Sequence, residues 1–64
     1  MPGAEILRRA QMLVAETQQK VDRQREIVAD LERRGLDTKA AQNFLTTWEE
    51  ALARRIEILD QMRS

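Results

Sequence analysis

Few side chains in this sequence could do chemistry, and nearly all of them are carboxylates or guanidiniums. The 64 residues contain no Cys, His or Tyr. That removes the thiol nucleophile, the thiolate metal site and the commonest general base. In the C-terminal half, carboxylates gather at Glu49-Glu50 and at Glu57 with Asp60. On a helix, adjacent residues point about 100° apart, so Glu49 and Glu50 do not converge as an acid–base pair. The Glu-x-x-His motif of di-iron bundles is absent, and so is a glycine-rich phosphate loop. The residues therefore predict no enzyme, no catalytic site, no cofactor and no metal.

The guanidiniums point to solvated faces. Arg8, Arg9, Arg23, Arg25, Arg33 and Arg34 fall on several helical faces and interleave with Glu5, Glu16, Asp22, Glu26, Asp30 and Glu32. Glu5–Arg9, Glu16–Lys20, Asp30–Arg34 and Glu50–Arg54 stand at the i,i+4 spacing of surface ion pairs. Eleven basic residues balance eleven acidic ones, whereas a generic polyanion binder carries a basic excess. This weighs against nucleic acid as a partner. The two aromatics, Phe44 and Trp48, both lie on an apolar stripe, where large rings serve as core or as a binding hot spot.

Two helices must position these residues. After Met1-Pro2-Gly3 no helix breaker occurs until Gly35, and none follows it. One domain, residues 1–64, is expected: helix 1 over about 4–34, a turn at 35–37 and helix 2 over about 38–63. Gly35 can adopt the left-handed conformation that closes a helix. With Gly35 just past the end, Leu31 and Leu36 are the pair that touches in a Schellman motif. Asp37 or Thr38 then caps helix 2, and Leu36 could staple onto Ala41. A connection this short predicts an antiparallel two-helix hairpin, so the fold class is all-α.

Hydrophobic periodicity places the faces. Leu7, Val14, Val21 and Val28 recur every seven residues, followed three behind by Ala10, Thr17, Gln24 and Leu31. In helix 2, Leu45, Leu52 and Leu59 recur, with Ala41, Trp48, Arg55 and Met62 as the second row. Ile6, Leu13 and Ile27 flank the first helix, with Lys20 as the exception; Phe44, Ala51 and Ile58 flank the second. Folding at the turn sets Val28 near Leu45, Gln24 near Trp48, Val21 near Leu52 and Thr17 near Arg55. Thr17, Gln24 and Arg55 form a polar layer in this stripe. Single polar residues at such positions fix register; the sharper alternative is a groove in which Arg55 contacts an anion.

The stripe is wider than one seam requires, and domains this small are marginal even when compact. Two hairpins pairing into a four-helix bundle would cover the flanking rows, so a homodimer is expected. The predicted interface is Leu13, Val14, Val21, Val28, Phe44, Leu45, Trp48, Leu52, Ile58 and Leu59. A larger protein partner could use the same i, i+3, i+4, i+7 anchors. The longest strictly apolar run, Met12-Leu13-Val14-Ala15, is far short of the roughly 20 residues of a membrane span. It is also too short for a signal-peptide core, so a cytoplasmic location is expected.

The stretch from Arg23-Gln24 through Ile27, Leu31-Glu32 and Gly35-Leu36-Asp37-Thr38, with Ala41, Leu45, Trp48-Glu49 and Leu52, resembles a group of short uncharacterised alphaproteobacterial helical-hairpin proteins. Their pattern is R-Q-x-x-I-A-x-L-E-x-x-G-x-D-T, followed by an apolar helix with an aromatic-Glu pair. The match covers about residues 20–60. His often follows the Gly in that pattern, where this chain has Leu36. The resemblance implies a helical hairpin and supplies no activity, cofactor or site. At the level of fold alone, RNA-modulating hairpin dimers of plasmid copy control are also four-helix bundles.

The expected function is non-catalytic protein–protein association as a homodimer, adaptor or small regulator. An RNA- or DNA-binding bundle and a membrane-surface or apolar-ligand-binding bundle are the alternatives.

Overall fold

Ala, Leu, Glu, Gln, Arg and Met dominate both halves of the chain and are strong helix formers. The computed structural model describes residues 2–63; Met1 and Ser64 lie outside them. The chain forms two helices, α1 (Pro2–Arg33) and α2 (Lys39–Arg63), packed against each other. Helix α1 starts earlier than the breakers Pro2 and Gly3 suggest, because proline is well tolerated in the first turn, where its missing N–H needs no partner.

The turn follows the Schellman pattern. Gly35 has φ +70°. The Leu36 N–H donates to the Leu31 carbonyl at 2.9 Å, and the Gly35 N–H to the Glu32 carbonyl at 3.0 Å. These bonds satisfy the last carbonyls of α1 and end it at Arg33, one residue before the expected boundary. Asp37 and Thr38 share the capping of α2. The Asp37 carboxylate accepts from the Lys39 N–H at 3.0 Å. The Thr38 carbonyl accepts the first helical bond, from the Gln42 N–H at 2.8 Å, and the Gln42 side chain donates to the Thr38 hydroxyl. Leu36 stays 53% exposed, so the turn covers its side chain only in part.

The helices run antiparallel. Thr17 meets Arg55, and Arg25 meets Glu49, so partners advance along α1 as they recede along α2. The result is a rod of 52 × 14 × 13 Å with a radius of gyration of 15.0 Å, against about 11 Å for a compact domain of this length.

Candidate association face

The two inner rows of each heptad stripe meet in the seam. Val21, Val28, Leu59 and Thr17 are buried. Leu7, Ala10, Val14, Gln24 and Leu31 of α1 are half-buried, as are Ala41, Leu45, Trp48, Leu52 and Arg55 of α2. The polar layer is built around Thr17. Its hydroxyl donates to the Leu13 carbonyl at 2.7 Å and accepts a bond from the Arg55 guanidinium. A buried hydroxyl costs stability mainly when it lacks a partner, and this one has two. Gln24 lies in the same seam, one α1 turn further toward the hairpin loop from Val21.

Because α2 runs backwards, the equivalent flanking rows of the two helices lie on the same side of the seam. One side is apolar. A groove lined by Ala10, Leu13, Arg55 and Ile58 joins the two helices there. Ile6, Leu13, Ile27, Phe44 and Ile58 are 57%, 46%, 41%, 61% and 54% exposed along it. Met12 widens the face beside Leu13, where Arg9 and Glu16 border it. Midway stands Lys20, whose ammonium lies 4.6 Å from the centre of the Trp48 ring. That is a cation–π contact of about 0.5–1 kcal/mol at an exposed site. It takes the place of the expected Glu16–Lys20 pair.

The opposite side is polar. Gln11, Gln18, Arg25 and Glu32 face it from α1, and Gln42 and Glu49 from α2. The Arg25 guanidinium bridges the helices to Glu49 at 3.2 Å and also reaches Asp22 at 3.8 Å. Ile56, 40% exposed, is the large apolar residue on this flank. The expected pairs Glu5–Arg9 and Asp30–Arg34 close at 3.3 and 3.2 Å.

The ten residues expected to associate thus divide. Val14, Val21, Val28, Leu45, Trp48, Leu52 and Leu59 pack within the hairpin, whereas Leu13, Phe44 and Ile58 remain on the wet face with Ile6, Ile27 and Met12. Lys20 and the Arg25–Glu49 bridge are additional features of the surface. Their signal in the sequence was positional: Lys20 belongs to the row that flanks Trp48, and Arg25 and Glu49 belong to matching rows.

Comparison of the chain with protein-family models, with curated proteins and with solved structures returns no match. Against the R-Q-x-x-I-A-x-L-E-x-x-G-x-D-T pattern, this chain carries Val28 as one residue more between Ile27 and Ala29. Among the described residues no group of three or more carboxylates gathers as a metal site, and no helix is long and apolar enough to cross a membrane. What the surface offers is a long apolar face on one side of the rod.

Proposed function

We propose that the hairpin works by non-catalytic protein–protein association, pairing with a second copy into a four-helix bundle. The observation that carries this is the asymmetry of the rod: Ile6, Leu13, Ile27, Phe44 and Ile58 are wet on one side, while glutamines and ion pairs line the other. Contiguous apolar faces of this kind mark interaction sites. The surface area supports the same reading. The chain exposes 5179 Å², where a compact protein of 7.5 kDa would expose about 4,250 Å². The excess, about 900 Å², is close to the roughly 800 Å² that each partner covers in a standard interface.

As a dimer, the bundle keeps its charged and glutamine-rich sides outward and would serve as a small adaptor or regulator. Sedimentation equilibrium at micromolar concentration tests this. A species of twice 7.5 kDa with little dependence on salt is expected. A well-ordered helical monomer across that range would overturn the proposal.

A further inference from the structure

The apolar face is not uniform along its length, and this bears on how a second copy lies on it. Resting on the association reading above, we infer that the two hairpins pair with their turns at the same end, α1 of one copy against α2 of the other. Leu13 and Ile58 stand at one level, on opposite walls of the shared groove. One heptad toward the turn the level holds Lys20 and Ala51, and one heptad further Ile27 and Phe44.

A two-fold axis along the rod preserves these levels. Leu13 then faces the second copy's Ile58, and Ile27 its Phe44, so large side chains cover large ones at both ends. Lys20 faces Ala51, the smallest residue of the row. Its stem can pass over the methyl group and, swinging off the Trp48 ring, leave the ammonium in water, as long cationic side chains do. A two-fold axis across the rod instead lays α1 on α1. Moving in heptad steps, Lys20 then meets Lys20, Leu13 or Ile27, so the face sets like charge on like charge or cation on apolar surface.

The border charges can be satisfied in both arrangements, so the choice rests on the levels of Lys20 and Ala51. Among the described residues, neither Glu16 nor Arg54 closes an ion pair within the chain. Both lie on the outer edge of the face at one level. The same-end arrangement brings Glu16 of each copy against Arg54 of the other. The crosswise arrangement would pair Arg9 with Asp30, already held by Glu5 and by Arg33 and Arg34, and Glu16 with Arg23, which also closes no ion pair among the described residues. The area is sufficient too. The whole side of the rod, 52 Å long and 14 Å wide, projects to about 700 Å², near the roughly 800 Å² per partner of a stable complex.

The chain has no cysteine, so single spin labels can be placed cleanly. Leu36→Cys marks the turn and Ala4→Cys the open end; both positions are exposed. Dipolar distance measurements on each labelled dimer should give short separations, under about 30 Å for neighbouring helices spaced 8–10 Å apart plus the label arms. A mixture of the two variants should add a long component from the mixed dimers, approaching the 52 Å length of the rod. Long separations in each single-label dimer, with a short component appearing only in the mixture, would overturn the same-end geometry and leave association standing. A monomeric mass for both labelled and unlabelled protein would overturn both.

Discussion

Phe44 offers the sharpest test of the exposed face, because the isolated hairpin gives it little to do. Its ring is 61% exposed, and an aromatic side chain presents 150–250 Å², so about 100 Å² of apolar surface is removed from the wet face by Phe44→Ala. Within one chain this changes almost nothing. If a second copy covers the ring, the loss at 25 cal/mol/Å² is about 2.5 kcal/mol per copy, or about 5 kcal/mol per dimer. That weakens self-association several-thousand-fold, since about 1.4 kcal/mol is tenfold. Sedimentation equilibrium over a range of loading concentrations measures the constant directly, and circular dichroism of the dilute protein checks that the hairpin persists. A dissociation constant within tenfold of the parent chain's would refute the assignment of this face, whatever the oligomeric state proves to be.

Three further substitutions separate the seam, the turn and the polar layer. Val21→Ala empties the fully buried centre of the seam; transfer and cavity terms together cost roughly 2–3 kcal/mol. In a domain this small the melting temperature should fall by about 10–20 °C, and a drop under about 3 °C would show that the seam is loosely packed. Gly35→Ala meets no atom within 4 Å but must keep φ +70°, so its cost is conformational, about 1–2 kcal/mol; thermal melts giving no loss would mean that the turn relaxes out of the left-handed region. Arg55→Leu leaves Thr17 bonded to the Leu13 carbonyl, so helicity should survive. Replacing a polar seam residue by an apolar one should instead yield a mixture of association states in native mass spectrometry, and a single unchanged species would remove Arg55 as a register device.

The turn could be read closely from residues 31–38 because its chemistry is local. A left-handed Gly35 with Leu31 and Leu36 around it specifies one pair of hydrogen bonds, and those bonds are present. The seam was equally legible, since a seven-residue repeat fixes which side chains share a helix face whatever they pack against. The cross-helix partners were harder. Thr17 and Arg55 fell at matching levels and do meet. Helical spacing pairs Lys20 with Glu16 on its own helix, yet the Trp48 ring across the seam holds it. An i,i+4 pair in water is worth only a few tenths of a kcal/mol, so a partly desolvated ring outcompetes it, and helical spacing alone cannot report the ring's approach. The interface expectation merged two surfaces for a related reason. Periodicity marks every apolar row, but only the antiparallel packing separates those that Val21 and Leu59 close off from those that leave Phe44 and Ile58 in water.

That separation explains why so short a chain carries so broad an apolar stripe. Two helices in contact have one seam between them, and lengthening both adds buried and wet surface in the same proportion. The rod therefore cannot approach the burial of a compact domain by growing along its axis; its radius of gyration of 15.0 Å already marks the departure. Only lateral growth changes the ratio, and a second hairpin is the smallest lateral addition. On the proposed reading the sequence is arranged for one such addition and not for two, because Arg25 and Glu49 bridge the helices on the far side. Exchanging Gln18 and Gln42 for leucine on that side should accordingly carry the proposed dimer to larger assemblies, visible as a rise in scattering mass with concentration. If the mass stayed at the dimer value, the polar flank would not be what limits association, and the explanation of the two unequal sides would fail.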